Sequence, residues 1–105
     1  MPFVRISLAH PRADVRAEVR RHLEELIQRS QALPGFVAGY VLVGDEDAGT
    51  LGRVTIWESH AAADRAANDM VIMATHAKLR FDTDGNIEEY DFEAPIAVVG
   101  PATGA

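Results

Sequence analysis

Apolar and polar side chains alternate through residues 3–9, "FVRISLA". Val4, Ile6 and Leu8 share one face, and Phe3, Arg5 and Ser7 share the other. That period of two predicts a half-buried strand. The period then lengthens. In "HPRADVRAEVRRHLEELIQRSQALPG", Val15, Val19, Leu23, Leu26 and Ile27 recur at helical spacing, with Arg and Glu between them. Pro11 as a first-turn residue or Asp14 as a cap would start this helix, and Pro34-Gly35 stops it. Alternation returns in "FVAGYVLVGDE", with Phe36, Ala38, Tyr40 and Leu42 on one side and Val37, Gly39, Val41 and Val43 on the other. The turn "GDEDAGT" leads to a third strand, "LGRVTIWES", so strands two and three are expected to form a hairpin. Ser59 is placed to cap a second helix, which Asn68-Asp69 weakens in its middle, so a kink or a helix in two pieces is expected. After the turn "DTDGN", "IEEYDFE" reads as a fourth strand, and Pro95 ends its pairing or marks it as an edge. The closing "GPATGA" is expected to fray.

The order β-α-β-β-α-β predicts an α+β fold of ferredoxin-like plan. Four antiparallel strands would carry two helices on one face. Residues 1–100 would form one domain, with 101–105 as its tail. The helices cover only one side of such a sheet. The other side would expose an apolar patch, for which a homodimer joined through the sheet faces is the natural solution.

Composition narrows the function classes. Of 105 residues, 48% are hydrophobic, which suits a folded domain. No apolar run is long enough to span a bilayer, and the N-terminus lacks the pattern of a secretory leader, so no membrane partner and a cytoplasmic location are expected. Cysteine is absent, so thiolate and disulfide chemistry are excluded. A net charge of −6 argues against a nucleic-acid surface. The charge is uneven. Nothing after Arg80 is basic, whereas Asp82, Asp84, Glu88, Glu89, Asp91 and Glu93 follow it. These acids read either as a solvated strand edge or as a tail that docks on a partner's basic helix.

One histidine stands out. His76 shares a helical face with Ile72, Met73 and Leu79, so it is expected to face a pocket between helix and sheet. A neutral imidazole there would serve as a base. It would equally serve as a core residue holding one hydrogen bond, or as a haem ligand. Arg5 and Arg53, each on a strand, could hold a developing oxyanion, although strand arginines are more often paired with acids. Tyr40 and Trp57 could orient a substrate. His22 near Glu18 and Glu25, and His60 near Asp64, have metal-ligand spacing but fall on charged helix faces, so no metal site is expected. No nucleotide fingerprint is present.

The segments "LPGFVAGYVL", "GRVTIWES" and "THAKLR", in this order and over residues 3–93, resemble the dimeric α+β barrel proteins of the antibiotic-biosynthesis-monooxygenase type. That resemblance implies a pocket between sheet and helices. It also implies one of several activities: oxidation of phenolic compounds by dioxygen without a cofactor, haem binding and degradation, or handling of other small molecules. His76 falls where the haem-degrading branch keeps its iron ligand. However, Ala66 stands where that branch has a tryptophan, and Ser7 or Leu8 where it has an asparagine. The expected function is therefore a cofactor-independent monooxygenase acting on a small phenolic or enolisable substrate. His76, Arg5 and Arg53 would be its catalytic residues, and Tyr40, Trp57, Ile72, Met73 and Leu79 would contact the substrate. The alternatives are a haem- or ligand-binding module without turnover, and a dimeric scaffold with a vestigial pocket.

Overall fold

The computed structural model describes residues 1–45 and 49–101. Residues 46–48 of the expected turn and 102–105 of the expected tail lie outside them. The elements are β1 (Phe3–Ala9), a short 3-10 turn (Ala13–Val15), α1 (Arg16–Gln31), β2 (Phe36–Val43), β3 (Leu51–Trp57), α2 (His60–Ala67), α3 (Met70–Asp82) and β4 (Ile87–Glu93). All strand pairs are antiparallel, in the order β2-β3-β1-β4, so the chain is an α+β fold of ferredoxin-like plan.

Neither Pro11, expected in the first turn, nor Asp14, expected as the cap, starts α1. Asp14 lies in the 3-10 turn, and the cap position is Val15, whose side chain makes no capping bond. Ser59 does cap α2, accepting from the Ala62 N–H at 3.1 Å. The second helix is in two pieces. Asn68 closes α2, and Asp69 opens α3 by accepting from the Val71 and Ile72 N–H groups. Short polar side chains that compete for backbone hydrogen bonds break a helix in this way.

The helix-covered face of the sheet is not uniformly apolar. At one end, Leu51 and Ala9 pack with Val19, Leu23 and Leu26 of α1 and with Ile72 and Leu79 of α3. At the other, Phe3 and Trp57 pack with Ala62, Ala63 and Ala66 of α2. Between these two cores run two cross-strand rows that carry charge. One is Arg53–Ser7–Glu89 and the other is Thr55–Arg5–Asp91, each from β3 through β1 to β4.

The register corrects one expectation. A bulge between Phe36 and Ala38 separates Phe36 from the face of Tyr40 and Leu42. Phe36 turns to the helix side and meets the Trp57 ring edge-on, with centroids 5.5 Å apart. A single extra residue reverses the alternation downstream of it. Tyr40 therefore lies on the uncovered face, 58% exposed, beside Val54 of β3. Val4, Ile6 and Leu8 of β1 share that face, and so do Tyr90 and Phe92 of β4.

The residues around Pro34-Gly35 also fix where α2 sits. Gly35 has φ +84°, and a Cβ built on it would stand 2.5 Å from the Ala62 Cβ. Gly85 has φ +75° with open space around it. Gly85→Ala should cost about 1–2 kcal/mol, the left-handed penalty alone. Gly35→Ala should cost distinctly more, because the clash adds to that penalty. Urea unfolding of both variants checks this, and equal losses would remove the role given to the Gly35–α2 contact.

Candidate functional site

Where the polar rows pass beneath the gap between α2 and α3, a cavity of about 480 Å³ opens. Clefts of roughly 300–1,000 Å³ are typical of small-molecule sites. Its floor is Arg5, Arg53, Thr55 and Trp57 from the sheet, with Glu89 and Asp91 at the β4 side. Its roof is small on the α2 side, at Ala63, Ala66 and Ala67. The α3 side supplies Ile72, Met73, His76, Ala77 and Arg80. The alanines leave room where larger side chains would fill the space.

The residues singled out in the sequence do not all meet here. Arg5, Arg53, Trp57, Ile72, Met73 and His76 line the cavity. Leu79 does not, because it is fully buried in the core against α1. Tyr40 does not, because the bulge in β2 sends it to the opposite face. On α3 the inward stripe is Ile72, Thr75 and Leu79, and Met73 is exposed. His76 lies beside this stripe, on the cavity wall, with its side chain 20% exposed.

The partner of His76 is a carboxylate. Its Nε2 is 2.7 Å from Glu89 Oε1, and its Nδ1 lies 3.3 Å from Arg80 Nε. The arginine can only donate, so Nδ1 is the accepting nitrogen. A neutral ring must then carry its proton on Nε2 and give it to Glu89. The hydrogen bond from His76 is the main cause that holds the Glu89 carboxyl below its ordinary range, against the opposing effect of burial. Both ring nitrogens are engaged. With Ala66 on the cavity wall and no asparagine in β1, these residues fit haem poorly.

The two strand arginines differ sharply. Arg5 is fully committed. It binds Asp91 at 2.7 and 3.1 Å, the Ala63 carbonyl at 3.3 Å and Asp64 at 3.4 Å. Its hydrogen bond to Asp91 raises it above the ordinary arginine value. It thereby ties β1, β4 and α2 together. Arg53 is 7% exposed, and its Nε has no hydrogen-bond partner among the described residues. No described carboxylate comes within ion-pair distance of it either. Burial pushes its guanidinium down to about 10, with Glu89 opposing and Arg5 reinforcing that shift, so it stays charged at neutral pH.

From sequence, Glu89 and Asp91 belong only with the acidic end of the chain. Their signal was present in the sequence as an alternation, Ile87–Glu89–Asp91. Which face that alternation served depended on the pairing of β4 with β1. The acids of this region pair with side chains from earlier in the chain, including Arg12–Asp84 at 3.3 Å, His22–Asp82 at 2.9 Å and His10–Glu88 at 3.5 Å. His22, expected on a solvated face, is buried between α1 and α3. His60 stacks on Phe3 with centroids 4.4 Å apart. Among the described residues no group of three or more potential ligands stands together as a metal site.

No protein-family model matches the sequence, and no curated protein matches it. The fold is that of the antibiotic-biosynthesis-monooxygenase type of α+β protein, as the sequence resemblance implied. SnoaB from Streptomyces nogalater, a cofactor-independent oxygenase solved as a mutant, superposes with TM-score 0.81 at 18% identity, covering 92% of this chain and 96% of that one. Rv0793 from Mycobacterium tuberculosis superposes with TM-score 0.81 at 20% identity, covering 95% and 100%. A further antibiotic biosynthesis monooxygenase gives 0.77 at 17% identity over 90% and 98%. No helix is long and apolar enough to cross a membrane.

The break that seats α3 on the cavity is held by Asp69, whose carboxylate bonds Arg29 of α1 at 2.7 and 2.9 Å as well as capping the helix. The Arg29 hydrogen bond, helped by the capped N–H groups, holds its carboxyl at about 2. An unfolded aspartate titrates near ~3.9. The stabilisation is therefore complete above about pH 4 and is lost as pH falls toward about 2. Asp69→Asn keeps a good cap but loses the charge. Its melting temperature should fall below that of the native protein at pH 7, and the gap should close between about pH 4 and about pH 2. Thermal unfolding across that range checks it, and a gap that persists at low pH would refute the assignment.

Proposed function

We propose that this chain is a homodimeric, cofactor-independent monooxygenase acting on a small phenolic or enolisable substrate in the cavity between helices and sheet. The observation that carries the reading is the His76–Glu89 pair on the cavity wall, an imidazole oriented by a carboxylate at 2.7 Å. With Nε2–H directed at Glu89, Nδ1 is the basic nitrogen. Arg80, more than half exposed and 3.3 Å away, swings aside to free it. Nδ1 then takes a proton from the substrate, and Glu89 stabilises the imidazolium that forms. The buried guanidinium of Arg53 stabilises the resulting phenolate or enolate.

The anion is the reductant. It gives electrons to dioxygen, a carbon–oxygen bond forms at the electron-rich ring carbon, and the peroxide anion takes the proton back from His76 to become a hydroperoxide. Loss of water, with the remaining hydrogen on that carbon and the distal oxygen, leaves a carbonyl. One oxygen atom ends in the product and the other in water, so the sum closes without metal or flavin. The cofactor-independent oxygenase among the structural neighbours supports the reading at the level of reaction type.

Assembly is the other half of the proposal. The face bearing Val4, Ile6, Leu8, Val54 and Ile56 has no cover among the described residues, and Tyr90 and Phe92 on it are about half exposed. A second copy would bury it face to face. Sedimentation equilibrium at micromolar concentration should give a dimer, and Ile56→Glu should shift it to monomer; a native monomer would sink this part. For the chemistry, oxygen uptake with anthrone should be detectable. His76→Ala should lower it at least a hundredfold, the usual scale of a lost general base. The same variant should keep the dimer and its circular dichroism spectrum. Undiminished uptake in His76→Ala would reject the base assignment.

A further inference from the structure

The substrate itself is constrained by the charges that the cavity has already neutralised and the one that it has not. Three guanidinium groups line it, Arg5, Arg53 and Arg80, against two carboxylates, Glu89 and Asp91. Arg5 uses Asp91 and Asp64, and its remaining donor goes to the Ala63 carbonyl. Glu89 is taken by His76. Arg80 is more than half exposed, so solvent screens it. Arg53 remains. It sits on the central strand β3, more than nine-tenths buried, on the cavity floor, with no carboxylate among the described residues within 4 Å.

We infer that the ligand of this cavity carries a carboxylate, which Arg53 receives, so that the substrate class is a hydroxyaromatic or enolisable carboxylic acid. This rests on the reading of the cavity as the substrate site and narrows it. A buried charge without a partner is costly to the fold, and removing that cost is a large driving force for an anion that fits. The guanidinium is a planar fork that takes a carboxylate through two parallel N–H···O bonds. Trp57, on the same face of β3 beyond Thr55, and the alanines of α2 provide apolar walls for an aromatic ring. Thus Arg53 would hold the carboxylate and the oxyanion that develops next to it at the sheet, while the ring extends under α3 and presents its acidic proton to His76. A neutral ligand would leave the guanidinium desolvated and unpaired. The same fact predicts that Arg53 costs the protein stability while it confers selectivity.

Two isosteric probes, 2-naphthoate and uncharged 2-naphthamide, separate charge from shape in calorimetric titrations of the intact protein. The native protein should bind the naphthoate at least tenfold more tightly. Arg53→Met should abolish that preference, leave naphthamide binding equal or tighter, and raise the melting temperature. Arg53→Gln, which keeps hydrogen-bond donors but not the charge, should lose the preference too, and it covers the case in which the first variant folds poorly. Equal affinity of the native protein for both probes would overturn the inference, as would a preference that survives in either variant. Neither probe is enolisable, so the result does not depend on turnover. Charge-selective binding through Arg53 without anthrone oxidation would reject the oxygenase reading and keep this one. Oxidation of anthrone with no selectivity between the naphthyl probes would do the reverse.

Discussion

A domain of this size has little interior to spare, yet it runs two rows of charged side chains across the covered face of its sheet. Every other feature near the cavity answers to that constraint. Charges removed from water must be paired or they oppose folding. Arg5 meets the condition by joining Asp91, Asp64 and the Ala63 carbonyl, and in doing so it anchors α2 over β1 and β4. Glu89 meets it through His76, which orients the ring. The hydrophobic material is displaced to either side, as one core under α1 and α3 and another under α2. The cavity is the space above a band of polar groups that neither core can cover.

The division of the second helix follows from the same geometry. One straight helix laid over both cores would close the gap above the polar rows. The break at Asn68 and Asp69 lets α2 follow the aromatic core while α3 packs on α1. Arg29 then holds the junction by gripping the carboxylate that caps α3. This use of one aspartate as both cap and ion-pair partner couples a local backbone event to the packing of two distant helices.

The periodicities in the sequence define every strand and helix and the order in which they come. They locate Arg5, Arg53, Trp57, Ile72, Met73 and His76 on elements that the structure brings around one cavity. What they miss is tertiary. The bulge after Phe36 is one residue in a run whose alternation reads equally well without it, so Tyr40 is assigned to the wrong side. The helical face of His76 contains Leu79 by spacing alone, but α3 packs on α1 with Leu79 in the core and Thr75 inward beside it. Glu89 stands thirteen residues from His76 in sequence, and nothing local joins them. The pairing of β4 with β1 does.

That last pairing has a consequence for the order of events during synthesis. Residues 87–93 leave the ribosome after β1, α1, β2, β3, α2 and α3, and they supply Glu89 and Asp91. Until they arrive, β1 has an open edge, Arg5 lacks its main counter-ion and His76 has no carboxylate. The hairpin of β2 and β3, and α1 against it, can assemble earlier from contacts close in sequence. The nascent chain therefore holds Arg5 and His76 without these carboxylates, and docking of an acidic strand closes the sheet and pairs both in a single step. A chain cut short before residue 87 would retain most of its apolar core and still be left with the charges it can least tolerate.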